Sequence, residues 1–213
     1  MVDRAEQKER TRKKLVDATL ALSAEKGLAS LSLREVSKEA GITPAAFYRH
    51  FHDMEELGLV LIVEVGQGLR QLLREARRQV AKGGGSGVRA SVEAFLGYIA
   101  ENQNLFRVLQ GERQGSSPAF RKALFSELGR FIEDVAEDLE RESARLKAPI
   151  HDPALAAEAV IAVTFTLGGE ALDLPKHRRL ELAERIIKEI KMILRGARTE
   201  ASPRRNRHGR RPA

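Results

Sequence analysis

The stretch SLREVSKEAGITPAAFYRHFHDMEEL, residues 32–57, decides the fold of this chain. Ser32 followed by Glu35 is a capping-box pattern, in which each side chain satisfies a free backbone N–H at a helix start. Gly41 ends that helix. Thr43 is a good N-cap and Pro44 suits the first helical turn, so a new short helix is expected over about Pro44–His50. Upstream, Leu15, Ala18 and Leu22 share one face of a longer helix that Gly27 stops. A longer helix followed by two short ones across a tight turn makes a helix-turn-helix unit. Leu33, Val36, Ala40, Ile42, Phe47 and Phe51 are its expected core, closing on Leu15, Ala18 and Leu22.

That assignment leaves Ala45, Ala46, Tyr48, Arg49 and His50 on the other face of the third helix. Alanines at Ala45 and Ala46 let a helix approach base edges closely, and an alanine methyl can touch a thymine methyl. Tyr48 and His50 carry hydrogen-bonding groups suited to phosphate oxygens, while Arg49 stands beside them with its role open. A merely solvated polar face is the other reading, since helix-turn-helix corners recur in all-helical proteins.

The rest of the chain also reads as helix, with no alternating strand bounded by turn residues. A long fourth helix is expected over about Met54–Lys82, striped by Leu57, Leu61, Val65, Leu69, Leu72 and Leu73. KGGGSG (82–87) breaks it. Further helices are expected over about Val88–Glu101, Asn104–Gln114, from GSSP (115–118) to Leu146, Pro153–Leu172 and Lys176–Gly196. The fold class is therefore all-α: a three-helix head over residues 1–52, a helical bundle over 53–197, about nine helices in all, and a basic tail over 198–213 expected to be disordered.

Net charge is +7 over 213 residues, and its placement is uneven. Residues 198–213 hold six arginines against one glutamate, and residues 1–14 hold six basic against three acidic side chains, so the body is close to neutral. Basic ends favour contact with a polyanion, although a tail that only aids solubility is an equal alternative. The absence of Cys excludes disulfides and thiolate metal sites. No apolar run approaches a bilayer span, and MVDRAEQKERTRKK (1–14) has no secretory-signal core, so a cytoplasmic protein without membrane contact is expected. Nothing suggests an enzyme. There is no nucleophile motif, and KGGGSG lacks the Gly-Lys-Ser/Thr ending of a phosphate loop. The five histidines (50, 52, 151, 177, 208) are scattered, so neither metal nor cofactor is expected.

On these residues the chain resembles the TetR-type regulators, whose signature places a glycine, an N-cap, an aromatic pair, a histidine and a following leucine as residues 41–57 do. The resemblance is strong over about residues 8–60 and weaker, through helix number and length, to residue 196. It implies phosphate contacts for Thr43, Tyr48 and His50, and base contacts for Arg34 and Ala46. Where the family often has a lysine at the start of the fourth helix, this chain has Met54, and the basic N-terminal arm is the candidate replacement for that contact. Residues 10–59 and FRVLQGERQGSSPAFRKAL (106–124) are further similar to the FabR/DesT-type repressors of unsaturated fatty-acid synthesis. That branch implies a long-chain acyl-CoA as effector, no cofactor, and a homodimer on a palindromic double-stranded DNA operator.

For such an effector the bundle supplies Leu69, Phe95, Leu96, Ile99, Phe106, Leu109, Phe125, Leu128, Phe131 and Ile132, with Phe165 joining them. An ordinary bundle core would look the same. Arg70, Arg74, Arg77, Arg107, Arg113 and Arg121 are candidates for thioester phosphates, or else for ion pairs with residues such as Glu112 and Glu127. The last two helices carry Val160, Val163, Leu167 and Gly168-Gly169, and Leu182, Ile186, Ile190 and Ile193. The family resemblance assigns these stripes to a four-helix dimer interface, with the glycine pair either a close contact or a kink. A TetR-type repressor induced by another hydrophobic molecule, and an acyl-thioester-binding helical protein without regulatory function, are the competing readings.

Overall fold

The computed structural model describes residues 4–83 and 86–199. Its helices are α1 (Arg4–Lys26), α2 (Leu33–Glu39), α3 (Pro44–Phe47), α4 (Met54–Gly83), α5 (Gly87–Glu101), α6 (Gln103–Glu112), α7 (Pro118–Leu146), α8 (Pro153–Glu170) and α9 (Lys176–Thr199), with a 3-10 turn at Leu28–Ser30. No strand occurs among the described residues.

The starts of these helices are set locally. Ser32 Oγ accepts from the N–H of Glu35 at 3.3 Å while Ser32 N–H donates to Glu35 Oε2 at 3.1 Å, so both halves of the capping box form. Thr43 Oγ1 accepts from Ala46 N–H at 3.2 Å, and the turn before it passes through Gly41 at φ 67, a region glycine enters without penalty. Asp53, Ser86, Ser117 and Asp152 cap α4, α5, α7 and α8 in the same way. The helix ends depart from the sequence expectation. α3 stops at Phe47 rather than near His50, because Arg49 and His50 bond back three residues, to Ala46 and Phe47. α9 continues to Thr199, past its expected end at Gly196 and two residues into the stretch expected as tail. The expected disorder of the rest of the tail falls on residues 200–213, outside the described residues.

In the head, Leu15, Val36, Phe47 and Phe51 are buried, and Leu22, Leu33 and Ile42 pack against them half-buried. Fully burying each such side chain contributes about 1.5–3 kcal/mol, which is what holds the short α3 in place. α4 leaves the head and runs the length of the bundle against α5 and α7; α8 packs on α7 and α9, and α6 bridges back to α1. At Gly58 α4 meets the bundle so closely that a Cβ would lie 2.7 Å from the Phe120 ring and 2.9 Å from Leu28.

The stripes expected at a dimer interface are largely internal. Leu167 and Gly168 of α8 and Leu182, Ile186 and Ile190 of α9 are buried within the protomer. The close approach at Gly168 is to Phe95 of α5, 2.7 Å from where a Cβ would stand. The cause is that α8 is apolar on every side, so its inward stripe was indistinguishable from its outward one. The outward stripe is Leu155, Ala159, Ala162 and Thr166.

Candidate functional site

Thr43, Ala45, Tyr48 and Arg49 are exposed on the outer side of α3, with Ala46 half-buried behind them, and Arg34 is exposed at the start of α2. Tyr48 is 64% exposed although its ring stands edge-on to the buried Phe47, at 5.8 Å between centroids. The phenol is thus aimed outward by the residue that anchors the helix. Lys26 Nζ meets Glu35 at 2.8 Å, tying α1 to α2. That lysine and the Ser32 hydroxyl and N–H together hold the Glu35 carboxyl down at about 2.

His50 is half-buried, and its Nδ1 is covered and has no hydrogen-bond partner. Burial, then the positive charges of Lys8, Arg12 and Arg49, hold its pKa below the ordinary imidazole value. Sequence reading did not anticipate Arg12. Its guanidinium lies 5.3 Å from the centre of the Phe51 ring and bonds Glu64 of α4 at 2.5 Å. No periodicity signals a pair 52 positions apart. Met54, where a phosphate-gripping lysine was considered, packs half-buried on the head core.

A cavity of about 1040 Å³ opens among α4 to α9. Along α4 it runs from Ile62 to Arg78, about 24 Å at 1.5 Å per residue. Leu69, Phe95, Phe106, Leu109, Leu128, Phe131 and Phe165 line it as expected. Three aromatic rings meet in series along its wall: Phe95 edge-on to Phe106 at 5.6 Å and Phe106 tilted against Phe165 at 5.2 Å. Phe125 does not take part. It is 54% exposed on the outer side of α7, one residue round from the buried Leu124. Ile99 is buried but lies behind the lining rather than on it.

The arginines are also arranged differently from expectation. Arg74, Arg77 and Arg78 line one end of the cavity, joined by Arg141, Arg145 and Arg198, which sequence reading missed. Arg70 is off the lining, bonded to the buried Glu127 and 3.7 Å from Asp134, with its guanidinium over Phe131. Arg74 pairs with Asp134, Arg77 with Asp138 at 2.5 Å, and Arg145 with Glu142 at 2.6 Å. Arg113 lies 5.5 Å from the Phe165 ring centre, also off the lining, and Arg107 bonds Asp173 at 3.0 Å. Arg121 bonds the carbonyl of Gly115. The cavity end is therefore a seam of ion pairs between α4 and α7.

Cavity and head are joined at α6. Glu112 is 3% exposed, and its Oε1 accepts from the N–H of Leu28 at 2.8 Å, filling a donor at the start of the 3-10 turn. Among the described residues no cluster of acidic and histidine side chains is placed to hold a metal ion, and no helix is long and apolar enough to cross a membrane.

The family model described as bacterial regulatory proteins, tetR family, matches residues 15–59, and the tetracyclin repressor-like C-terminal domain matches residues 85–193. Among solved structures the chain is similar to Salmonella enterica GusR, with 19% identity and a TM-score of 0.72 over 91% of this chain and 98% of that one. It is similar too to the fatty acid degradation regulator FadR from Bacillus halodurans (17% identity, TM-score 0.69, 87% and 95% covered). A third is FadR from Bacillus subtilis in complex with stearoyl-CoA (15%, 0.68, 86% and 98%). These three share its fold. The C-terminal match alone spans more than half of the chain, and with the exposed helix-turn-helix and the cavity of the bundle it establishes that this chain belongs to the tetR family of bacterial regulators, DNA-binding transcription regulators with a ligand-binding helical domain and neither catalysis nor a cofactor.

Proposed function

We propose that this regulator is a repressor whose effector is a long-chain acyl-CoA, reporting the balance of unsaturated to saturated chains. The observation that carries this reading is the cavity: a long apolar slot, walled by phenylalanines in contact, that ends in six arginines interleaved with the carboxylates of α7. A chain of methylenes suits the walls, and an anionic head suits the arginine end. The stearoyl-CoA named with the Bacillus subtilis neighbour is consistent with a slot of this kind.

On the same reading, residues 1–52 bind DNA, and residues from 53 to the end of α9 at Thr199 bind ligand and dimerise, with the basic tail beyond it. Arg34, Ala45 and Ala46 meet base edges, Thr43, Tyr48 and His50 meet phosphates, and Arg49 stands beside them at the duplex. Two copies related by a two-fold axis present two α3 helices to the half-sites of a palindrome. Saturated and kinked acyl chains fill one slot differently, and only such a difference in affinity between two conformations shifts operator binding.

The ion pairing of the cavity arginines favours a second reading, a repressor of an efflux or catabolic operon induced by a hydrophobic molecule with a neutral head. Selection of bound genomic fragments with and without saturated and unsaturated acyl-CoAs separates the two. Retention of every fragment at saturating acyl-CoA of both kinds rejects the fatty-acid reading.

A further inference from the structure

Two carboxylates of α7 tie α4 in place at the arginine end of the cavity. Asp134 holds Arg74, and Asp138 holds Arg77 at 2.5 Å. All four side chains line the cavity. Each carboxylate is shared with a second arginine. Asp134 Oδ2 lies 3.7 Å from Arg70 Nε, and Asp138 also bonds Arg141, three residues on along its own helix. Either aspartate can therefore give up its cavity-lining partner on α4 and keep a cation beside it.

The pairs made by Arg74 and Arg77 are also incompletely satisfied. Arg77 Nε and Asp134 Oδ2 are covered and have no hydrogen-bond partner. Arg77 and Asp138 are thus close without being aligned, and Asp134 keeps one oxygen in reserve. A covered polar atom left in this way is a cost that a better-aligned partner recovers. Arg74 is half-exposed, within reach of a head group in the cavity. Arg70 differs: it is bonded to the buried Glu127 and lies off the lining.

We propose that Asp134 and Asp138 are specificity-determining residues of the effector site, and that a polyphosphate head enters by exchange. Its phosphate oxygens replace the two carboxylates on Arg74 and Arg77, while Asp134 falls back on Arg70 and Asp138 on Arg141. Guanidinium takes phosphate in a bidentate way, so both arginines gain aligned partners. Among the described residues, Arg70 is then the only cation of α4 still paired across to α7, and α4 loosens beyond it. An uncharged head leaves the seam intact. The charge of the head is thereby read as a release of α4. This inference rests on the acyl-CoA reading above.

The test compares the full chain with its Asp134→Asn, Asp138→Asn double variant, in which both arginines are released in advance. Palmitoyl-CoA and the uncharged S-palmitoylpantetheine are titrated calorimetrically, and operator affinity is followed by fluorescence anisotropy on a selected fragment. Palmitoyl-CoA is expected to bind the variant about five-fold tighter, since two partly exposed ion pairs no longer have to be displaced. S-palmitoylpantetheine is expected to bind both proteins equally. The ligand-free variant is expected to bind the operator as the unaltered chain does with palmitoyl-CoA, so that added ligand changes little. Glu142→Gln controls for charge alone. It frees Arg145, but that pair lies within α7, so the influence of palmitoyl-CoA on operator affinity is expected to stay. Asp138→Asn by itself is expected to shift both readouts the same way by a smaller factor, which keeps the test decisive if the double variant unfolds. Palmitoyl-CoA affinity that is unchanged or weaker in the variants overturns the exchange. Equal tightening of both ligands overturns it too, as does a full effect of palmitoyl-CoA on operator binding by the double variant. If the unaltered chain does not bind palmitoyl-CoA, or binds it without a change in operator affinity, the acyl-CoA reading itself falls.

Discussion

Glu112 of α6 and the backbone N–H of Leu28 are joined at 2.8 Å across 84 positions of sequence, with the carboxylate almost wholly buried. One side of this bond belongs to the ligand-binding bundle and the other to the reading head. Glu112→Ala removes the acceptor and leaves a buried donor unpaired, an expected loss of about 1–3 kcal/mol in denaturant unfolding. Glu112→Gln keeps an oxygen acceptor and is expected to recover most of it. The same pair is expected to separate in function: the alanine variant loses part of the effector's influence on operator affinity, while the glutamine variant keeps it.

Tyr48 and Arg34 are exposed, so their substitution isolates DNA contact from folding. Tyr48→Phe and Arg34→Ala are expected to leave the unfolding free energy within about 0.5 kcal/mol. Tyr48→Phe should weaken binding evenly across sequences, and Arg34→Ala should also relax base preference, by about 1–3 kcal/mol at one position. Phe47→Ala is the contrast. It empties the centre of the head at an expected cost of about 3–5 kcal/mol, so thermal unfolding and gel shift fail together. If specific binding survives Tyr48→Phe and Arg34→Ala combined, these residues are not the DNA contacts.

If His50 meets a DNA phosphate as proposed, operator binding is expected to depend on pH. In the free protein burial and the charges of Lys8, Arg12 and Arg49 lower its pKa from 6.5. Around that value the unfolded chain binds more protons than the folded one, so this group weakens folding as the pH falls. A phosphate placed against the ring reverses the preference, and DNA binding then takes up a proton. Operator affinity measured by fluorescence anisotropy is expected to rise from about pH 8 to about pH 6, and His50→Gln to flatten that rise. An unchanged slope in the variant removes His50 from the interface.

The outward stripe of α8 is the expected dimer contact. Ala162 is exposed, and Leu155 is 56% exposed, on a helix whose only charges between Pro153 and Gly169 come from Glu158. Ala162→Glu places two like charges across the two-fold axis and is expected to shift sedimentation from dimer to monomer, with a matching loss of operator affinity. A variant that still sediments as a dimer moves the interface elsewhere.

The head was legible in sequence because its determinants are local. Ser32 and Glu35, Thr43 and Pro44, and the spacing of Val36, Phe47 and Phe51 each act within a few residues. The cavity was legible only in its hydrophobic part. Phe125 and Leu124 are adjacent and equally apolar, and a helix turn of about 100° decides which one faces inward. The arginines of α4 looked available because their partners on α7 lie some sixty positions away. By composition α8 has one hydrophobic surface, where the folded chain has two, one spent mainly on α7 and α9 and one left outside.

Gly58 gives α4 a fulcrum. With no side chain between them, the helix rests on Phe120 and Leu28 at that point. The arm on the head side, to Met54, is about 6 Å, and the arm on the cavity side, to Arg74, is about 24 Å. A rod pivoted so far off centre trades travel for force: a sideways shift at Arg74 arrives at Met54 about four-fold smaller, and correspondingly stronger. On the proposed reading, an effector lodged at the arginine end must displace α4 widely to move the head at all, whereas one that presses on α4 at Ile62 acts close to the pivot and has little leverage on it. On the proposed reading, the place along the slot where an effector makes its conformation-dependent contacts then sets how far the reading helices part.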